Sequence, residues 1–151
     1  MTRSGMSKPT SRPTERARCR VQIRSGVKAL VSTSGSVLLV QEYHSDGTPF
    51  WTLPGGGVGP LETPRDALVR EVREELQCDC VVGEPLETVW YAHTIRTRTF
   101  SRYVVMSCRL CERPEPASSE DVAAVRWVGP DECPPRTIPQ VRNLVERRLD
   151  G

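Results

Sequence analysis

The chain has 151 residues, enough for one compact domain that buries its own core without covalent staples. Its formal charge of +2 is unevenly spread: Arg3, Lys8, Arg12, Arg16 and Arg18 face only Glu15 before residue 19, so the remainder carries a small acidic excess and no polyanion-binding surface, which argues against nucleic acid as a partner. No apolar run approaches the ~20 residues of a membrane span, and no apolar leader core follows the start, so a soluble, cytoplasmic protein is expected.

Residues 1–18 combine basic side chains with Ser, Thr and Pro. An organelle transit segment shares this composition, but Pro9 and Pro13 interrupt any amphipathic helix, and a disordered basic tail is expected before a single domain over 19–151. Two strands follow, over 21–32 and 37–40, joined at the turn Thr33-Ser34-Gly35 as a hairpin. A loop carrying Asp46-Gly47 and Pro49 leads to a short strand, Trp51-Thr52-Leu53, and then to Pro54-Gly55-Gly56-Gly57. Thr63 and Pro64 suit the cap and first position of a helix whose apolar residues Leu68, Val69, Val72 and Leu76 recur at helical spacing until about Gln77. Strand-like segments occupy 80–82, 87–92, 99–111 and 123–128, and Ile138, Val141, Leu144, Val145 and Leu149 line one face of a closing helix. Strands on both sides of a helix predict an α/β or α+β layered fold around a mixed sheet.

Six cysteines open two further readings. Disulfides are not expected without a secretory signal. Cys78 and Cys80 with Cys108 and Cys111 offer four thiolates for zinc, but Cys108 and Cys111 fall on opposite sides of a strand end and lack a tight knuckle. Cys78 has no histidine nearby in sequence and reads as a small buried residue.

The main helix carries the chemistry. At about 100° per residue, Glu71, Glu74 and Glu75 share an arc roughly 100° wide that borders the core face formed by Leu68, Val69, Val72 and Leu76. Like charges at this spacing destabilise a helix, so a cation is needed; Arg70, four residues before Glu74, supplies one and a divalent metal would supply another. A solvated acidic face is the competing reading. Three glycines between a strand and the helix favour a ligand site, because they admit close backbone approach.

Gly56, Glu62, Arg70-Glu71-Val72, Glu74-Glu75 and Cys78 are spaced so that the stretch resembles the Nudix box, Gly-x5-Glu-x7-Arg-Glu-apolar-x-Glu-Glu-x-Gly-apolar, in every position but the penultimate, where Gln77 replaces glycine. Trp51-Thr52-Leu53-Pro54 before the box, and Arg126-Trp127-Val128 with Asp131-Glu132 after it, are similar to the family's flanks. The resemblance implies an α/β/α sandwich over residues of about 20 to 150. It implies Mg2+, or Mn2+ in its place, held by Glu71, Glu74, Glu75 and the Gly55 carbonyl. The expected reaction is hydrolysis of a phosphoanhydride in a nucleoside diphosphate linked to another moiety, such as a nucleoside triphosphate, oxidised or not. Arg70 would orient the glutamates and Glu62 would hold the loop by a hydrogen bond. The base is one of the same glutamates or a later carboxylate such as Glu120. Gln77 stands where a left-handed glycine ends the helix, at a cost of up to ~1 kcal/mol or a shifted end, and Gly59 and Leu61 replace loop residues frequent in relatives.

Elsewhere Arg96, Arg98 and Arg102 offer phosphate contacts, against the plainer reading of a solvated strand face. Trp51 reads as core, and His44 and His93 as lone histidines without a ligand role. A proline that accompanies ADP-ribose hydrolysis in the family would fall near His93 and is missing, while Tyr91 only approaches the place of the tyrosine in dinucleoside-polyphosphate enzymes. The partner expected is a small nucleotide-like substrate, with homodimerisation left open. The alternative, a Nudix-fold module that senses nucleotides without hydrolysis, typically loses box glutamates; here all four are present.

Overall fold

The computed structural model describes residues 20–92 and 98–150. The expected tail over 1–18, together with Cys19, His93 and Arg96, lies outside the described residues.

Strand β1 (Gln22–Thr33) is buried over its second half and sits at the centre of the sheet. It turns through left-handed Ser34 and Gly35 into β2 (Ser36–Tyr43). The hairpin expected here is real but short: only Ser32↔Val37 and Thr33↔Ser36 pair before the strands part. They part because each becomes the centre of its own half. From Gln22 to Val31, β1 runs parallel to β6 (Thr99–Leu110), and its Gly26, Val27 and Lys28 pair antiparallel with β4 (Gly55–Gly57). Meanwhile β2 takes β3 (Pro49–Thr52) and β7 (Ala124–Val128) as antiparallel neighbours. The glycine stretch expected as loop is therefore a three-residue strand, invisible in the sequence because glycine carries no side-chain alternation.

The segments expected at 80–82 and 87–92 are one strand, β5 (Cys80–Ala92), antiparallel to β6 at the sheet edge. Register shifts on both sides of Pro85 break the alternation that would have joined them, as a proline without an N–H requires in a strand. At the irregularity the Arg65 guanidinium donates to the carbonyls of Val82 and Gly83.

Among the described residues two helices cover the sheet, α1 (Pro64–Leu76) and α2 (Pro139–Asp150). Alternation along the central strands sorts the core into two layers. Val27, Ala29, Leu38 and Val40 cluster with Leu68, Val72 and Leu76 of α1, whereas Leu30, Val37, Leu39 and Val105 cluster with Val141, Leu144 and Val145 of α2. Each fully buried Leu or Val contributes roughly 1.5–3 kcal/mol relative to exposure, so both faces of β1 and β2 hold the fold together. The result is the expected α/β/α sandwich around a mixed sheet. No helix of the described residues is long and apolar enough to cross a membrane.

Candidate active site

Helix α1 is fixed at both ends by local chemistry. Thr63 Oγ1 accepts from the Asp66 amide at 3.1 Å and Pro64 opens the first turn. At the other end Gln77 takes the left-handed conformation (φ 56°, ψ 38°), its amide donating to the Arg73 carbonyl, so the helix end does not shift despite the missing glycine. The Gln77 side chain compensates: its Nε2 donates to the carbonyls of Glu115 and Pro116 at 3.3 and 3.1 Å. The chain just beyond returns to the helix, where the Ala117 amide donates to the Glu75 carbonyl.

The buried arc of α1 differs from the expected one. Ala67 is fully buried and Val69 only partly so, which turns the buried face by roughly 60° towards the glutamates. Glu75 is 8 % exposed and the Glu71 side chain 14 %, while that of Glu74 is 37 % exposed. The carboxylates thus divide, two facing the sheet and one opening to solvent.

Two glycines admit the buried pair. Gly55 has φ 142°, and a side chain there would meet the Val27 carbonyl at 2.1 Å; its amide donates to Glu75 Oε1 at 3.0 Å. A β-carbon on Gly56 would stand 1.6 Å from Glu71 Oε2, so only glycine lets this carboxylate lie against the strand. The close approach expected of the glycines is made by Glu71 and by β1.

Arg70 ties helix to loop. Its Nε and Nη2 grip Glu62 Oε2 and Oε1 at 2.7 and 2.8 Å, its Nη1 stands 3.3 Å from Glu71 Oε1 and from both oxygens of Glu74, and Nη2 also donates to the Gly57 carbonyl. Glu62 Oε1 accepts from the Gly59 amide at 2.8 Å. The Arg70 guanidinium and that amide hold the Glu62 carboxyl down at about 2, and the pKa of Arg70 is raised in return, chiefly by Glu62.

Burial pushes the Glu75 carboxyl up to about 8, with Glu42 and Glu71 adding to it and Lys28 and the Gly55 amide opposing. Burial likewise raises Glu71, against Arg70 and together with Glu74. Lys28, 5 % exposed, was not singled out in sequence. Burial works against its charge, but Glu42, the phenols of Tyr103 and Tyr91, and Glu75 outweigh it and raise its pKa. A lysine inside the apolar run Val27-Lys28-Ala29-Leu30-Val31 was the available signal.

Beside these groups a cleft of about 510 Å³ opens between β2 and β3 on one side and β5 and β6 on the other, lined by Lys28, Glu42, Phe50, Thr52, Tyr91 and Tyr103 among others. His44 stacks on Phe50 there, while Trp51 packs on the α2 side of the core. Arg98 occupies a left-handed turn before β6 and Arg102 reaches Ser25 Oγ at 3.4 Å; neither lines the cleft. Glu120 is exposed on a single 3-10 turn (Ser118–Glu120) that follows the Ala117 anchor. Cys108 is buried and Cys111 exposed, and burial raises the Cys78 thiol to about 11, which suits packing and not nucleophilic attack. Among the described residues no three His, Cys, Asp or Glu side chains already form a metal cage; Glu71, Glu74 and Glu75 are spread between Arg70 and the Gly55 amide.

The NUDIX domain family model matches residues 22–148. Over 121 residues, 72 % of this chain and 84 % of the relative, the sequence is 31 % identical to the nucleoside triphosphatase NudI of Escherichia coli O1:K1 / APEC. A shorter match, 46 % identical over 59 residues, joins it to the CTP pyrophosphohydrolase of Escherichia coli strain K12 and spans 44 % of that protein's length. In structure, the MutT NUDIX hydrolase from Burkholderia pseudomallei superposes with a TM-score of 0.73 at 24 % identity, covering 83 % of this chain and 97 % of that one.

Proposed function

Because the chain belongs to the NUDIX domain family, we propose that it is a hydrolase that splits a phosphoanhydride bond of a nucleoside triphosphate, or of a related nucleoside diphosphate derivative, with Mg2+ held by Glu71, Glu74 and Glu75. The observation that carries this reading is the buried pair Glu71 and Glu75 pressed against Gly56 and Gly55. Two carboxyls whose pKa values are raised by burial cost stability as anions, and a hard divalent cation offsets that cost. Their oxygen donors, with the more exposed Glu74 completing the set, fit Mg2+ or Mn2+, and the Gly55 carbonyl is proposed as a further ligand on family grounds. The names of two relatives, a nucleoside triphosphatase and a CTP pyrophosphohydrolase, support a triphosphate substrate.

When bound, Mg2+ would neutralise phosphate charge and acidify the attacking water. Arg70 contacts Glu71 and Glu74 while its fork on Glu62, which accepts from the Gly59 amide, fastens the loop that follows β4. The proton leaving the water passes to a carboxylate of this set or to Glu120. Arg96 and Arg98 are proposed only as phosphate contacts from the segment before β6. The five described cysteines are free, in keeping with a reducing cytoplasmic compartment.

A screen of nucleoside triphosphates and diphosphate derivatives with Mg2+, analysed for nucleoside monophosphate and pyrophosphate, tests the reading. Turnover of at least one is expected. Tight binding with no turnover of any would overturn it in favour of a nucleotide sensor.

A further inference from the structure

The proposed reaction uses the helix carboxylates but leaves unexplained two charged groups at the floor of the cleft. Lys28 is 5 % exposed, with its Nζ 4.8 Å from the centre of the Tyr103 ring. Glu42 Oε2 is buried and has no hydrogen-bond partner. The two side chains sense each other's charge, yet no ion pair joins them, so each keeps hydrogen-bonding capacity for something else. Buried acceptors are rarely left unmade, and one that lines a cleft invites a donor from its occupant.

On the nucleotide-hydrolase reading above, we propose that Glu42 and Lys28 read the edge of the nucleobase and select bases bearing an exocyclic amino group over keto bases of the same size. A carboxyl on the cleft lining repels phosphate, which places the phosphates at Glu71, Glu74 and Glu75 and leaves a hydrogen-bond donor for the Glu42 end. In a nucleotide the base supplies that donor as an amino group. The ring acceptor beside it, N3 in cytosine or N1 in adenine, then meets the ammonium of Lys28, which donates and cannot accept. Uracil reverses the pattern and sets its O4 against the Glu42 carboxyl, acceptor facing acceptor.

The walls suit a planar ring. His44 and Phe50 stack at 4.2 Å between centroids with 21° between their planes, and Tyr91 lies 5.1 Å from Tyr103. Aromatic faces of this kind stack on any base, so they contribute binding without choosing among bases. The choice falls to the polar pair. The buried Thr52 hydroxyl borders the Tyr91 phenol without good hydrogen-bond geometry and edges the same floor.

Pairs of nucleotides matched in size test the proposal: kcat/KM for CTP against UTP and for ATP against ITP, with equilibrium binding of CMP and UMP measured by calorimetry in EDTA. The amino member is expected to be preferred by about tenfold or more. In the isosteric Glu42→Gln variant, whose amide can turn to donate as well as accept, the ratio should fall to within about threefold of unity. Glu42→Leu should lower it in the same way, and thermal melts of both variants keep a folding defect apart from lost selectivity. Equal treatment of both members by the wild type, or a preference that survives both substitutions, would overturn the proposal. If no triphosphate turns over but CMP outbinds UMP and Glu42→Gln levels them, base reading stands and the hydrolase reading falls; turnover without discrimination gives the reverse.

Discussion

The Gly55 amide donates to Glu75 Oε1 at 3.0 Å, so the last turn of α1 is fastened directly to the short strand that pairs with β1. That bond places a buried carboxylate beside a residue twenty positions away and makes the glycine run and the glutamates one structural unit.

Gly56→Ala tests that unit most simply. Its new β-carbon would collide with Glu71 Oε2 at 1.6 Å, and either the carboxylate or the strand must move. A displaced Glu71 should lower kcat by about 100-fold, with a stability cost of about 1–3 kcal/mol from overpacking. Steady-state kinetics alongside urea unfolding would check this; an alanine variant with unchanged kcat would show that Glu71 does not need its present position.

Arg70→Lys keeps the charge but loses the two-pronged grip on Glu62 and the contacts to Glu71 and Glu74. Loss of a group that orients metal-binding carboxylates typically lowers activity or metal affinity 10–100-fold, and that range is expected here. Because the Arg70 side chain is 39 % exposed, stability should fall by no more than about 1 kcal/mol. Calorimetric Mg2+ titration of the variant would separate weakened metal binding from a slower reaction.

Gln77 combines a left-handed backbone with two side-chain hydrogen bonds to the 115–116 segment. Gln77→Gly removes the strain and the bonds together and should lie within about 0.5 kcal/mol of the wild type. Gln77→Ala keeps the strain and loses the bonds, so it should be less stable by about 1 kcal/mol. Chemical denaturation of both orders them; an alanine variant as stable as the wild type would remove any role for the amide.

Glu87 of β5 fastens α2 through Arg147 at 2.9 Å and Arg148 at 3.0 Å, and the two guanidiniums, Arg147 first, hold its carboxyl below the usual range. A depressed carboxyl contributes stability that is fully present above its unfolded value of about 4.3 and is lost as pH falls through the folded value. Both arginines are well exposed, so the contribution should be about 0.5–1 kcal/mol. Glu87→Gln is therefore expected to be less stable than the wild type at pH 6 and to converge with it as pH falls through and below the lowered carboxyl value. A constant difference across that range in urea midpoints would contradict the assignment.

Where a residue's role is settled by its near neighbours, the sequence alone was informative. Thr63, Pro64 and the spacing of Leu68, Val72 and Leu76 mark both the start and the buried face of α1. What stayed hidden depends on partners distant in sequence. Strand β4 has no side chains to alternate, and β5 reads as two pieces because Pro85 shifts its register. Lys28 and Glu42 gain meaning only once β1 and β2 bring them to one cleft with Tyr91 and Tyr103 of the opposite strands.

On the proposed reading, the buried carboxylates of α1 hold the metal on which hydrolysis depends. The most direct measurement is the rate of nucleoside triphosphate hydrolysis by the wild type and by Glu75→Gln across a Mg2+ titration, with EDTA as the zero point. Turnover should appear only with Mg2+ and should fall at least about 100-fold in the variant. Full Mg2+-dependent turnover by Glu75→Gln, or undiminished hydrolysis by the wild type in EDTA, would contradict it.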